Sequence, residues 1–417
     1  MTAPTGTALL PHHTSMSHER VSPWLIAPAL PDAGFGVYVH VPFCAHVCPY
    51  CDFNTYAGLS DLIPAYVEAV TREIAQQGPD FAGRQAVSLF LGGGTPSQLS
   101  PAQVGQIIQA VSEAFDLAAG AEVTIETNPN DLSKAYCAGL LAAGVNRLSI
   151  GAQTLDRRGL RTLGRQHEAA DTVRSLAAAQ QAGFTNISLD FIYGWPGQTL
   201  DAWRRDLTQI LEGSGDVAPP QHLSLYSLIV EPGTPMADAV TRGILTPPDD
   251  DTTADFAELA EEILAQAGWL HYEIANWAAA PDLISRHNAV YWRNGDYAGI
   301  GAGAHGHLAG QRTMNQPSPQ RYITLLNAGT RPRSNVETID EPTAIGETMM
   351  LGLRLLSAGV NRAAFEHRHG ASLVALFAPQ LARLQELGLI EQNEVAVRLT
   401  NRGAMLANAV AAELMPE

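Results

Sequence analysis

The chain has 417 residues, 46% hydrophobic and only 16% charged, with a formal net charge of −17. That supplies a large packed core with a smaller unit beside it, and it excludes a disordered chain or a coiled coil. A face that tracks nucleic-acid phosphates would be basic, so no nucleic-acid partner is expected; no apolar run is long enough to span a bilayer.

Residues 1–33 hold scattered Pro, Ser, Thr and His and one Arg. They lack the basic start and apolar core of a secretion signal and are too poor in Arg for a transit peptide. They are expected to be a flexible leader on a cytoplasmic protein, with His12, His13 and His18 in a solvated tail rather than on a metal.

Residues 34–235 alternate short β-rich runs with amphipathic stretches. The expected strands are Gly36–Val41, Val87–Leu91, Glu122–Glu126, Arg147–Gly151, Asn186–Ile192 and Leu223–Ile229. The expected helices between them are Leu59–Gln77, Pro101–Phe115, Ser133–Ala143, Ala169–Ala182 and Leu200–Leu211. Strand–helix alternation at this spacing makes βαβ units and a parallel sheet. The fold class is therefore α/β, an incomplete (β/α)6 barrel of the TIM type. Parallel barrels place their chemistry at the C-terminal ends of the strands, so a functional motif should sit just after a strand.

Residues 236–342 form a looser extension. It has a helix over Asp251–Gly268, a strand and turn over Trp269–Trp277, and a glycine-dense stretch, Gly295–Gly310. Residues 343–417 form a separate unit, with helices over Thr343–Leu356, Asn361–Gly370 and Leu373–Leu387 and then a hairpin around Gly388–Leu399. That order resembles a winged helix, here with a structural or partner-docking role rather than DNA binding, because its charge is mixed.

Four cysteines are present, and three of them, Cys44, Cys48 and Cys51, fall within eight positions just after the first strand. A disulfide scaffold would spread its cysteines along the chain; a C-x3-C-x2-C triplet indicates metal ligation. Iron–sulfur clusters are held by thiolates. Three ligands to a four-iron cubane leave one iron open, and an open position is where cofactor chemistry takes place. A structural zinc site would need a fourth ligand, for which His46 is poorly spaced.

Gly92-Gly93-Gly94-Thr95-Pro96 follows the second strand, where residues without side chains let backbone approach a ligand. Glu126-Thr127-Asn128-Pro129 follows the third strand, Gln153 the fourth, and Asp190 stands in the fifth. Arg165 is suited to gripping a carboxylate. Each has an ordinary structural reading alone; together they converge on one barrel mouth.

The cysteine loop and glycine segment resemble the radical S-adenosylmethionine (SAM) superfamily. The resemblance implies a [4Fe–4S] cluster whose open iron is chelated by SAM, and an electron donor able to drive SAM cleavage. From about residue 35 onward the chain is similar to the oxygen-independent coproporphyrinogen III oxidase group. That likeness places the SAM contacts on Tyr38, Tyr50, Gly93, Gly94, Thr95, Glu126, Gln153, Arg165 and Asp190, and less directly on Ser227 and His305.

One departure matters. The oxidases carry another cysteine two residues after the third cluster ligand, where this chain has Phe53. Cys-x2-Cys-Asp-Phe is similar to the heme chaperone branch of the group, as is His287-Asn288-Ala289-Val290-Tyr291-Trp292. That branch implies heme as cargo and an acceptor protein, such as a membrane respiratory enzyme. Tyr291, Trp292 and Trp277 are then candidate walls of a heme cleft, with His287 as iron ligand or, alternatively, as a packed, hydrogen-bonded core residue; His305 and His307 are rival ligands. Two alternatives of another class stay open: radical decarboxylation of coproporphyrinogen III, against which Phe53 argues, and SAM-dependent modification of heme itself.

Overall fold

The computed structural model describes residues 34–416; the leader with its three histidines lies outside the described residues. The expected parallel strands form as β1 (Phe35–Val41), β2 (Ala86–Gly93), β3 (Leu117–Thr127), β4 (Arg147–Gln153), β5 (Ile187–Tyr193) and β6 (His222–Ser227). They pair in parallel and in chain order. Alternation along each strand sorts the side chains. Val37, Val39, Leu89, Ile125, Ile150 and Leu189 join the apolar core, while Tyr38, Ser88, Glu126, Ser149 and Asp190 take the opposite parity, which is polar.

The intervening helices are α1 (Ile63–Gln77), α2 (Pro101–Phe115), α3 (Lys134–Ala143), α4 (Arg157–Thr162), α5 (Ala169–Ala182) and α6 (Leu200–Glu212). In α2, Ser100 and Gln103 form a reciprocal capping box, Pro101 opens the first turn, and Val104, Ile107, Ile108, Val111 and Phe115 are buried. That spacing is one face of a helix. Each such side chain contributes about 1.5–3 kcal/mol when fully buried.

The extension is more ordered than its loose pattern suggests. It contains α7 (Pro235–Thr241), α8 (Asp250–Gln266), β7 (Leu270–Glu273), β8 (Asn276–Ala278), α9 (Arg286–Trp292), β9 (Tyr297–Ile300), β10 (His305–Leu308), β11 (Gln311–Asn315), α10 (Pro319–Asn327) and β12 (Arg333–Thr338), and α11 (Glu341–Gly352) leads out of it. The glycine-dense stretch is therefore two strands and a tight turn. β9 joins the open edge of β1 in parallel, and β10 to β12 follow as an antiparallel meander. The result is one twelve-stranded sheet in the order β12-β11-β10-β9-β1-β2-β3-β4-β5-β6-β8-β7. β12 is exposed at all six positions, so no apolar alternation marks it.

A second core gathers Met349, Leu356, Phe365, Leu381, Val397 and Val410. Its elements after α11 are β13 (Val360–Asn361), α12 (Arg362–His369), α13 (Leu373–Leu376), α14 (Ala378–Glu386), β14 (Ile390–Gln392), β15 (Ala396–Leu399), α15 (Asn401–Met405) and α16 (Ala407–Ala412). The single helix expected over Leu373–Leu387 is broken at Phe377. Pro379 lacks an N–H and would clash with the carbonyl four residues back, so a new helix starts there instead. Among the described residues no helix is long and apolar enough to cross a membrane.

Candidate functional site

A two-residue parallel bridge, Phe43–Cys44 with Tyr56–Ala57, closes the loop that follows β1. That loop carries Cys44, Cys48 and Cys51, all as free thiols. The end of β2 is zipped to it. Gly94 N donates to Val41 O at 2.9 Å, Thr95 N to Phe43 O at 2.8 Å, and Thr95 Oγ1 to Cys44 Sγ at 3.4 Å. A Cβ on Gly94 would lie 2.9 Å from Phe43 O and Val41 O, and one on Gly93 would lie 2.5 Å from the His40 ring. The approach therefore requires residues without side chains.

Arg165 reaches in from beyond α4. Its Nη1 lies 3.7 Å from Cys48 Sγ, and its Nη2 donates to Asn128 Oδ1 at 2.6 Å and Gly151 O at 3.0 Å. Its Nε is buried with no partner. Tyr50 packs against Leu163, Trp195 and Met236. Burial pushes the Cys44 and Cys51 thiols up, offset at Cys44 by the Thr95 hydroxyl; their thiolates need a cationic partner.

The donor set is three free thiols on one loop, with the Arg165 guanidinium 3.7 Å from Cys48 Sγ. A cubane takes thiolates at separate iron corners, and a nearby cation suits its negative charge.

Two acids stand below the mouth. Asp190 accepts from Ser149 Oγ at 3.0 and 2.8 Å and from Ser188 Oγ at 3.0 Å. Glu126 accepts from Gly93 N at 3.0 Å. Burial, with the Asp190 charge second, pushes Glu126 up to about 8. Gln153, at the end of β4, has φ of +64°, a left-handed backbone that costs energy in a non-glycine residue and recurs at functional sites. Ser227 closes β6 on the register of Tyr193.

A cavity of about 950 Å3 opens beside these groups, within the range that holds small ligands and cofactors. Tyr38, Gly93 and Glu126 line it, with Phe53 and Tyr56 from the cysteine loop, Tyr291 and Trp292 from α9, His305 and His307 from β10, and Met350 and Leu351 from α11. Trp277, offered as a further wall, is instead 4% exposed in the main core and stacks on His271 at 3.7 Å.

His287 corrects the ligand expectation. It is 1% exposed and does not line the cavity. Its Nδ1 pairs with Ser88 Oγ at 2.9 Å and its Nε2 with Tyr291 OH at 2.8 Å, and its ring stacks on Phe90 at 5.1 Å. Burial pushes it down to about 3. With both nitrogens engaged it is a packed core residue that orients Tyr291. Sequence reasoning missed Asn128, which joins Arg165 to Thr95, and His40, whose nitrogens take Tyr38 OH and Asn54 O at 2.9 Å. Asn128 lay within the strand-end segment already singled out, where an amide beside an acid is the signal.

A partial parallel barrel with a three-cysteine loop after its first strand and a glycine cradle after its second defines a radical SAM protein. Residues 38–210 match the model of the Radical SAM superfamily and residues 339–406 that of the HemN C-terminal domain. The superfamily implies SAM and a [4Fe–4S] cluster. The chain is 37% identical to the heme chaperone HemW of Bacillus subtilis, over 89% of this chain and 97% of that one. It is 35% identical to HemW of Mycobacterium tuberculosis, over 94% and 97%. It is 34% identical to the mitochondrial radical S-adenosyl methionine domain-containing protein 1 of Bos taurus, over 93% and 89%. The chain belongs to the heme chaperone HemW family. Its fold is shared with the coproporphyrinogen III oxidase HemN of Escherichia coli, at a TM-score of 0.76, 23% identity and coverage of 93% and 91%.

Proposed function

We propose that this protein binds heme, carries it beside a SAM-bound [4Fe–4S] cluster on Cys44, Cys48 and Cys51, and passes it to an acceptor protein. When bound, the cluster supplies an electron and an open iron position for SAM. The chain's own residues do the rest. Gly93, Gly94 and Thr95 shape the cradle, Glu126 accepts from the ammonium or ribose, Asp190 sets its charge, Arg165 neutralises the cluster side, and Tyr38, Tyr50 and Gln153 frame the ligand. Tyr291 and Trp292 wall the heme. The acceptor is a heme enzyme such as a membrane respiratory one, the reductant a cytoplasmic electron donor, and the protein itself cytoplasmic.

The observation that carries this reading is the cavity lined by six aromatic side chains other than histidine, Tyr38, Phe53, Tyr56, Tyr291, Trp292 and Tyr297, with Phe53 67% exposed. A porphyrin needs a cleft rich in aromatic and apolar side chains. An exposed Phe53 offers apolar contact where the oxidase pattern has a thiol.

The test is a hemin titration of anaerobically reconstituted, full-length protein, with coproporphyrinogen III, SAM and reductant assayed in parallel. Saturable binding of hemin, with no decarboxylated porphyrin formed, is expected. Robust decarboxylation without hemin binding overturns the chaperone reading.

Glu126 sets a pH dependence. Held near 8, it is protonated at neutral pH, and a SAM cation favours the carboxylate. SAM affinity therefore rises with pH by up to about tenfold per unit below 8 and flattens above it. Glu126→Gln removes the slope. Equilibrium dialysis of SAM from pH 6 to 9 checks this; a flat wild-type profile contradicts it.

A further inference from the structure

We propose that His305 is the axial ligand of the heme iron. This rests on the heme-binding reading above and names the atom that reads the metal. The likeness to the oxidase group extends the SAM contacts less directly to His305; its exposed ring, with no hydrogen bond among the described residues, is what points it to the cargo.

The histidines around the cavity are not equivalent. His40 and His287 have both ring nitrogens in hydrogen bonds. His307 is 6% exposed, with Nδ1 on Gly295 O at 3.2 Å and Asp296 at 3.7 Å. His305 is exposed at the first position of β10 and lines the cavity. Among the described residues no hydrogen bond holds its ring. A neutral imidazole with a free nitrogen is what a heme iron takes; it donates a lone pair and nothing is oxidised or reduced.

Its backbone is fixed in advance. The turn before it runs through Gly301 at φ of +102° and Gly303 at +77°. Gly301 N is bound by the buried Glu73 carboxylate at 2.8 Å, and Gly303 N by Gln316 O at 3.0 Å. Ala304 N closes the turn on Gly301 O at 3.2 Å, and His305 is in register with Met314 on β11. A ligand held by such a frame binds its metal without losing much freedom.

The surroundings suit a flat, apolar dicarboxylate. Phe53, Tyr56, Trp292 and Met350 are on the same cavity wall system, and among the described residues lining it Arg312 is the only Lys or Arg. Arg312 holds Glu347 on α11 at 2.6 Å and Glu337 on β12 at 3.3 Å. Its planar guanidinium takes carboxylates in pairs, so a heme propionate can share or displace those contacts.

The test compares hemin with iron-free protoporphyrin IX on the full-length, cluster-reconstituted protein. Wild type is expected to bind hemin at least about tenfold more tightly than the iron-free ring. His305→Ala is expected to bind both rings alike, with a larger loss of affinity for hemin than for SAM. His305→Tyr is expected to restore the preference for hemin with a changed ferric electron paramagnetic resonance signal. The assignment is overturned if His305→Ala keeps the hemin preference and the wild-type signal, if it loses SAM rather than hemin, or if His307→Ala abolishes the preference instead. Wild-type protein that binds no hemin overturns the heme-binding reading itself, and this inference with it.

Discussion

Serine at Cys44, Cys48 or Cys51 leaves anaerobically reconstituted protein with almost none of its iron, sulfide or visible absorbance. The expected loss in cluster affinity is at least about a hundredfold, because even groups that only orient a metal ligand are worth 10–100-fold. Cys137→Ser is the control. That residue is 0% exposed in the main core, far from the cysteine loop in the chain, and burial pushes its thiol up to about 11. Its replacement costs about 1–3 kcal/mol of stability through a buried hydroxyl and leaves iron content unchanged. Equal iron in wild type and the three loop variants would remove the cluster assignment.

The largest effect on folding is expected at Glu73, on α1. It is 0% exposed and accepts four hydrogen bonds: Tyr322 OH at 2.5 Å, Asn315 Nδ2 at 2.7 Å, Gly301 N at 2.8 Å and Gln77 Nε2 at 2.8 Å. Its donors come from α10, β11, the glycine turn and α1 itself, so one carboxylate ties the meander to the barrel edge. Glu73→Ala orphans all four donors and costs about 3–5 kcal/mol, read from the denaturant midpoint. Burial raises the Glu73 carboxyl above its ordinary value despite these bonds. A raised folded value means stability present below the unfolded value, about 4.5, and lost as pH rises through the folded one. The advantage of wild type over Glu73→Gln is therefore expected to shrink as pH rises from about 4.5. An alanine variant as stable as wild type would show that the four donors find water instead.

Legibility in the sequence followed the range of the interactions. α2 runs from Pro101 to Phe115 as its periodicity and its Ser100–Gln103 box require, because a helix is closed by bonds within four residues. β12 was invisible, since Arg333–Thr338 pairs with β11 at the sheet edge and buries no side chain. Pro379 shows the intermediate case. The local signal to break a helix was present, but an apolar pattern running through it outweighed that signal.

The cysteine triplet, the glycine segment and the strand-end acids were set by the sequence itself, because each motif is contiguous and its chemistry is a property of its own atoms. The site's shape was decided by tertiary structure. The cavity joins residues from 38 to 351, which the pairing of β9 with β1 and the Glu73 hydrogen bonds bring together. The same holds for the histidines. Imidazoles at 287 and 305 are chemically equal in the sequence; Ser88, 199 residues from His287, binds one into the core, and a turn held by Glu73 leaves the other facing the cavity.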